Sequence, residues 1–284
     1  MPLRQPTAFL PAAALALVLS LAPSSAAAQG DSAAHRVRLG DIEMAYETRG
    51  SGEPLLLLHG FFGCGDNWDP FVARLAERYR LIIPDLREHG NSTNPKKVYD
   101  HRQTAADIAA LLDSLGLPRV RALGISSGGM TLLHLATRQP ERIEAMVLIG
   151  ATTHFPEQAK AIMRATGRQG LPPDVRQEFL GCATRGGEAQ LRDLIARFAA
   201  LEHTSDMAFT ARELATIRAR TLIVHGDRDM FFPVSIPVAL YEGIRGSALW
   251  IVPNGEHVPI YGKQEGPFLD EVLRFLGEER KTER

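Results

Sequence analysis

Short runs of apolar residues recur along the chain and alternate with segments in which apolar residues lie three and four positions apart. The run at residues 54–59 (PLLLLH) is continuous, which is typical of a strand buried on both faces of a sheet. Residues 104–115 place Ile108 and Leu111 on one face of an amphipathic helix. The alternation predicts an α/β fold in which a mostly parallel, doubly wound sheet lies between helices.

The same two patterns locate the other elements and one interruption. Residues 154–216 contain helical patterns, one of them marked by Leu191, Leu194 and Phe198, but no strand pattern. Ligands bind at the sheet edge where the carboxyl ends of the strands meet, so an insertion of this kind predicts a helical cap over that edge. Ordinary surface helices without a gating role are the alternative. We therefore expect a core of residues 29–153 and 217–284 and a cap of residues 154–216. Further strands are predicted at residues 42–47, 81–84, 120–123, 145–149, 221–224 and 248–252, and helices at residues 71–79, 128–138 and 267–276.

The first residues differ from the rest of the chain. Arg4 precedes an apolar stretch at residues 8–21, and small residues follow up to Ala28. This order predicts a signal peptide at residues 1–28, cleaved after Ala28, and a periplasmic or secreted protein without stable membrane association. An uncleaved membrane anchor is the alternative, but the apolar run is short and contains Pro11.

Composition excludes few classes of protein. The 284 residues carry a formal net charge of −1, which argues against a nucleic-acid partner because such partners need a concentrated basic face. A chain of this length buries enough surface to fold without a disulfide, and we expect a monomer or a small homo-oligomer. Cys64 and Cys182 would meet an oxidising compartment after export, but the sequence does not decide whether they pair. We expect two buried free thiols.

The strongest chemical signal is the pattern G-x-S-x-G at residues 124–128, between a predicted strand and a predicted helix. This context predicts a sharp turn that presents a nucleophilic serine, and the backbone crowding requires small residues two positions before and after it. Ser126 has Gly124 and Gly128 in those places, whereas Ser127 has Ile125. We therefore expect Ser126 to be the nucleophile and the N–H of Ser127 to donate to an oxyanion.

Three further segments follow predicted strands. The glycine-bearing loop at residues 59–63 offers the N–H of Phe61 as a second oxyanion donor, although a plain strand-to-helix turn is the alternative. Asp227 and Asp229 follow the strand at 221–224, and His257 follows the strand at 248–252. A nucleophile, an acid and a base in this chain order are typical of one of the known folds that carry a serine triad.

These motifs make the mature chain resemble the α/β-hydrolase superfamily, within it the esterase, lactonase and haloperoxidase-like branch with a short helical cap. Residues 85–92 (DLREHGNS) add to the resemblance but depart from the usual D-x-R-G-H-G-x-S stretch at Glu88. The resemblance implies Asp229 as the acid, with Asp227 as the runner-up, and His257 as the base. Glu256 separates His257 from the glycine that is usually adjacent, which leaves the geometry of that loop open.

The reaction expected from these residues is hydrolysis of a small carboxylic ester or lactone through an acyl-enzyme, with macrocyclic lactone antibiotics among the candidate substrates. Cofactor-free perhydrolysis or C–C bond hydrolysis on the same triad is one alternative, and a non-catalytic ligand-binding receptor is another. The sequence contains none of the usual zinc or nucleotide motifs, so we expect no metal and no cofactor. His154 and His203 are weaker candidates for substrate contact. Aromatic residues near the motifs are expected to bind substrate: Phe62, Trp68, Phe155 and Phe231.

Overall fold

The structure, a computed structural model, describes residues 33–204 and 206–278, so the predicted leader at residues 1–28 lies outside the described residues. Its strands are β1 (Ala33–Leu39), β2 (Ile42–Arg49), β3 (Glu53–Leu58), β4 (Tyr79–Pro84), β5 (Val120–Ile125), β6 (Ile143–Ile149), β7 (Arg220–Gly226) and β8 (Ala248–Val252). They form one sheet in the order β1-β2-β4-β3-β5-β6-β7-β8. The β1–β2 and β2–β4 pairs are antiparallel and the other pairs are parallel, so the predicted fold class is confirmed.

Helices cover both faces of this sheet. None of the helices in the described ranges is long and apolar enough to span a membrane. Most of the helices predicted from the sequence are present with slightly different ends. The helices are α1 (Asp69–Ala76), α2 (His101–Ser114), α3 (Ser127–Arg138), α4 (Glu157–Gln169), α5 (Pro173–Cys182), α6 (Gly187–Ala200), α7 (Ala211–Leu214), α8 (Ser235–Gly243) and α9 (Glu265–Gly277).

The continuous apolar run in β3 is explained by burial on both sides of the sheet. Leu56 and Leu58 belong to the apolar core formed with α2, α3 and α8. Leu55 and Leu57 belong to the core on the opposite face, formed with α1 and α9. Because successive side chains of a strand point to opposite faces, a strand between two helical layers has no polar face.

β1 was not predicted from the sequence. Its last four side chains alternate between charged and apolar, with Val37 and Leu39 following Arg36 and Arg38, and most of the strand's side chains are exposed. The strand lies at the edge of the sheet and pairs only with β2. An edge strand of this kind contributes little apolar burial, so its sequence signal is weak.

The segment between β6 and β7 carries α4, α5, α6 and α7, and α6 is tied to the loop after β4. The side chain of Gln190 donates to the carbonyl oxygens of Glu88 and Gly90 at 2.8 and 2.9 Å. Arg197 lies 3.5 Å from the carboxylate of Glu88. Glu88 adopts a φ of 71°, a left-handed conformation that favours glycine, the residue that the D-x-R-G-H-G-x-S stretch of the resemblance has at this position.

Cys64 and Cys182 form a disulfide, so the expectation of two free thiols is wrong. Cys64 follows the loop after β3, and Cys182 is the last residue of α5. The two cysteines lie 118 residues apart in sequence, and their Cα atoms lie 5.3 Å apart because the inserted helices fold back over that loop. The sequence alone did not contain this information, since the pairing depends on how the insertion packs.

Candidate active site

Ser126 lies in the sharp turn between β5 and α3. Its backbone angles are φ 48° and ψ −111°, a combination that L-residues rarely adopt. A Cβ atom on Gly124 would lie 2.5 Å from the backbone nitrogen of Gly129, and one on Gly128 would lie 2.3 Å from the carbonyl oxygen of Leu58. The two glycines are therefore required by the close approach of neighbouring backbone.

A hydrogen-bonded chain connects three residues that follow three different parallel strands. Nε2 of His257 lies 2.9 Å from Oγ of Ser126. Nδ1 of the same ring lies 2.8 Å from Oδ2 of Asp229. Because a carboxylate can only accept, Nδ1 carries a proton, and in the neutral ring Nε2 accepts from the serine hydroxyl. The arrangement can withdraw a proton from Ser126 as that oxygen attacks an electrophile.

Asp229 is buried and remains ionised. Burial alone would raise the pKa of its carboxyl group, but the hydrogen bond and charge of His257 and the backbone N–H groups of Phe231 and Phe232 lower the pKa below its usual value. These two N–H groups donate to Oδ1 at 2.7 and 3.0 Å. His225, which the sequence did not single out, donates from Nε2 to the carbonyl of Phe232 at 2.9 Å and supports the same turn.

Asp227, the runner-up for the acid, is a turn residue. Its side chain is one-third exposed, and its carboxylate lies 3.9 Å from Nε of Arg228.

The extra residue Glu256 does not displace the imidazole of His257 from Ser126. Gly255 turns tightly there, because a Cβ atom on it would lie 2.7 Å from Cβ of Pro259.

The loop after β3 lies beside the Ser126 turn. A Cβ atom on Gly60 would lie 3.5 Å from Cβ of Ser126, and the loop is closed by a bond from the N–H of Gly63 to the carbonyl of Gly60. Phe61 and Ser127 both border the cavity above Ser126. Within the described ranges, neither of their backbone N–H groups donates to another backbone group. A helix leaves its first N–H groups unpaired, which accounts for Ser127 as the first residue of α3.

A cavity of about 850 Å³ opens above Ser126, between the sheet edge and the inserted helices. Its wall is mainly apolar and includes Met130 of α3, Met163 of α4 and Phe179 of α5. Phe179 stacks on Phe62 with ring centroids 4.9 Å apart. No Lys or Arg side chain belongs to the wall among the residues that the structure describes.

The aromatic residues expected to touch substrate divide into two groups. Phe62, Phe155 and Phe231 border the cavity, and the ring of Phe231 lies 4.7 Å from that of His257. Trp68 does not border the cavity, so that expectation is corrected. It is fully buried beside Phe71, because the short helical turn that carries it faces the core under α1.

His154 and His203, the weaker candidates for substrate contact, are both exposed and do not border the cavity. The sequence analysis missed Met130 and Met163, which do border it. Helical spacing marks such residues as buried without indicating whether they face the core or a cavity.

Comparisons with known proteins agree with this architecture. The profile of the family described as alpha/beta hydrolase fold matches residues 53–203. A protein of Synechocystis sp. assigned as a non-heme chloroperoxidase is 31% identical over 83% of this chain and 95% of its own length. The 2-hydroxy-6-oxo-2,4-heptadienoate hydrolase of Pseudomonas putida is 27% identical over 86% of this chain and 96% of its own.

A solved structure adds to the evidence for the fold. The enol-lactonase of Burkholderia xenovorans superposes with a TM-score of 0.72, at 21% identity, over 86% of this chain and all of that one. At this identity the likeness is evidence of fold alone. The family profile covers more than half of the chain, and the Synechocystis relative is similar along nearly its whole length. The chain therefore belongs to the alpha/beta hydrolase family.

Proposed function

We propose that this protein is a serine hydrolase that cleaves uncharged, largely apolar carboxylic esters or lactones through an acyl-enzyme. The observation that carries the proposal is the chain of hydrogen bonds from Ser126 through His257 to Asp229, at the floor of an apolar cavity. The family membership supports hydrolysis in general. The ester specificity and the roles of individual residues are the proposal.

The first half of the reaction forms the acyl-enzyme. Ser126 attacks the carbonyl carbon while Nε2 of His257 takes the hydroxyl proton, and Asp229 stabilises the imidazolium that results. The proton then passes from His257 to the alcohol oxygen, and the C–O bond breaks. In the second half a water molecule attacks the acyl group, His257 takes its proton, and Ser126 leaves with that proton restored.

Negative charge develops on the carbonyl oxygen in both tetrahedral intermediates. Phe61 and Ser127 both border the cavity above Ser126, and in this proposal their backbone N–H groups donate to this oxygen. Losing one such donor typically reduces the rate by about 10²–10³-fold.

The cavity supports a bulky acyl or alcohol group. Ligand pockets commonly measure about 300–1,000 Å³, so a volume of about 850 Å³ lies toward the upper end of that range. Apolar substrates of this size gain affinity from the surface they bury against residues such as Met163 and Phe179. Macrocyclic lactones belong to the substrates that would fit this description.

The charged residues of the cavity wall indicate whether the substrate is neutral or anionic. The heptadienoate hydrolase to which the chain is similar acts, by its name, on a carboxylate. Binding such a group in an apolar cavity requires a cationic or strongly hydrogen-bonding partner. The described wall contains the carboxylate of Glu178 but no cationic Lys or Arg, which favours neutral substrates.

We make two further proposals: the protein works outside the cytoplasm, and residues 154–216 form a cap over the cavity. The leader pattern supports export, and the Cys64–Cys182 disulfide is typical of proteins in oxidising compartments. Helices α4, α5 and α6 supply much of the cavity wall opposite Ser126, which supports a gating role.

Turnover of p-nitrophenyl esters tests this function. Wild-type protein should hydrolyse the neutral pentanoate ester with a kcat/KM about 100-fold or more above that for the glutarate monoester, which carries a terminal carboxylate. Ser126→Ala should abolish both activities, whereas Ser247→Ala, at a hydroxyl outside the cavity, should retain them. Full activity in Ser126→Ala would contradict the mechanism, and a preference for the anionic ester would contradict the substrate class.

A further inference from the structure

A second Ser–His–Asp array lies behind the turn that carries Ser126. Nε2 of His101 lies 3.1 Å from Oγ of Ser127. Nδ1 of His101 and its own backbone nitrogen lie 3.0 and 2.5 Å from Oδ2 of Asp206. Ser127, His101 and Asp206 are at most 3% exposed, so these bonds form away from water.

The direction of the hydrogen bonds between His101 and Asp206 follows from the charge of Asp206. Burial would raise the pKa of this carboxyl group, but its hydrogen bonds from His101 and the charge of that ring lower it below the usual value. The ionised group only accepts, so Nδ1 of His101 carries a proton. In the neutral ring Nε2 accepts, and the hydroxyl of Ser127 donates to it.

The array connects two parts of the chain that are distant in sequence. His101 begins α2 and Ser127 begins α3, whereas Asp206 belongs to the segment inserted between β6 and β7. The side chain of Ser127 is therefore restrained by a carboxylate from the insertion through one imidazole ring. Buried hydrogen bonds of this kind restrain the conformation of the groups they connect, although Oδ1 of Asp206 has no hydrogen-bond partner among the described residues.

The ring of Tyr99 connects the array to the loop after β3. Its centroid lies 5.3 Å from that of His101 and 4.9 Å from that of Phe61. Phe61 and Ser127 are the two residues whose backbone N–H groups donate to the oxyanion in the proposed mechanism. The same buried cluster thus packs behind both of these groups.

We propose that His101 and Asp206 are positioning residues that fix the orientation of the Ser127 N–H for the developing oxyanion and couple it to the inserted segment. This inference rests on the proposed function, because the N–H of Ser127 matters only if an oxyanion forms beside it. Ser127→Ala keeps that N–H and removes only the hydroxyl that anchors the residue. Its effect therefore reports positioning and not loss of the donor itself.

The test compares Ser127→Ala, His101→Gln, Asp206→Ala and Asp206→Asn with wild type. kcat and KM are measured on the neutral ester, and binding is measured for a trifluoromethyl ketone, whose adduct with Ser126 carries an oxyanion. Ser127→Ala and His101→Gln should lower kcat by about 10- to 100-fold, somewhat less than the loss of a whole donor, with KM within about twofold of wild type. Affinity for the ketone should fall by the same factor as kcat/KM.

Asp206→Asn should retain more activity than Asp206→Ala, because an amide oxygen can still accept both N–H groups of His101. His134→Gln is the matched control. His134, which lies on α3, is also buried and interacts electrostatically with Asp206, and its ring packs against Phe209. This variant should keep wild-type kcat and ketone affinity, and circular dichroism melting should establish that every variant is folded.

Wild-type kcat and ketone affinity in Ser127→Ala would overturn the inference, as would equal losses in His134→Gln and His101→Gln. If His101→Gln does not fold, Ser127→Ala decides, because it removes a single oxygen atom. A wild-type protein that neither cleaves the ester nor binds the ketone would overturn the proposed function. Active wild type with unaffected variants would overturn the positioning role alone.

Discussion

Asp229 fixes the tautomer of His257 through a bond of 2.8 Å to Nδ1. Its second oxygen accepts the N–H groups of Phe231 and Phe232, so the carboxylate is oriented from both sides. Asp227 lies only two residues away, yet it faces Arg228 and is partly exposed. Sequence position alone does not distinguish the two aspartates, because both follow the same strand. The turn between them directs only Asp229 towards His257.

Asp229→Asn should lower kcat on the neutral ester by about 10³–10⁴-fold, because an amide can present a donor to Nδ1 and reverse the tautomer. Asp227→Asn should change kcat by less than about threefold. Steady-state kinetics on both variants measure the difference. A larger loss in Asp227→Asn than in Asp229→Asn would exchange their roles.

Gly128→Ala should destabilise the protein by at least about 3 kcal/mol, because the added methyl group would lie 2.3 Å from the carbonyl oxygen of Leu58. Gly266→Ala, at a helical position with open space around it, should change the free energy of unfolding by less than about 1 kcal/mol. Guanidinium unfolding measures both changes. Equal stability of the two variants would argue against the tight turn.

The Cys64–Cys182 bond closes a loop of 118 residues, so replacing both cysteines with serine should lower the free energy of unfolding by about 4–5 kcal/mol. Dithiothreitol should destabilise the wild-type protein similarly and leave the double variant unchanged. Thiol titration of the unfolded, unreduced protein should find no free cysteine. Two free thiols per chain would contradict the bond.

Stability should decrease in mild acid, in part because of His89. Burial lowers the pKa of this histidine to about 3, while the unfolded chain binds a proton near the usual value of 6.5. The unfolded state therefore binds more protons between these two values, and stability falls as the pH falls below about 6.5. Between about pH 7.5 and about pH 5 this group accounts for about 2 kcal/mol.

Between about pH 7.5 and about pH 5, His89→Gln should lose about 2 kcal/mol less free energy of unfolding than the wild-type protein. Urea unfolding at the two pH values measures this difference. His89→Gln is expected to be less stable than wild type at neutral pH, so the comparison concerns the change with pH within each protein. An identical pH dependence in both proteins would contradict the lowered pKa.

Much of the fold follows from local sequence patterns. The leucines of β3 alternate between two apolar layers, and this arrangement requires the continuous apolar run that the sequence contains. Gly124 and Gly128 distinguish Ser126 from Ser127 because only one of the two serines has glycines at the crowded positions. These features are local, so a single segment of sequence predicts them.

The features that the sequence did not predict depend on contacts between distant segments. Trp68 and Phe62 lie close in sequence, yet one faces the core and the other the cavity. The pairing of Cys64 with Cys182 and the contact between His101 and Asp206 require the insertion to fold back over the sheet edge. No local pattern encodes how that insertion packs.

Covalent labelling with a fluorophosphonate tests the role of Ser126 most directly. We predict that the purified protein takes up one phosphonyl group per chain, that peptide mass spectrometry places it on Ser126, and that prior labelling removes ester hydrolysis in proportion. Ser126→Ala should not be labelled. An unlabelled wild-type protein, or a label on another residue with hydrolysis unaffected, would contradict the proposal that Ser126 is the nucleophile.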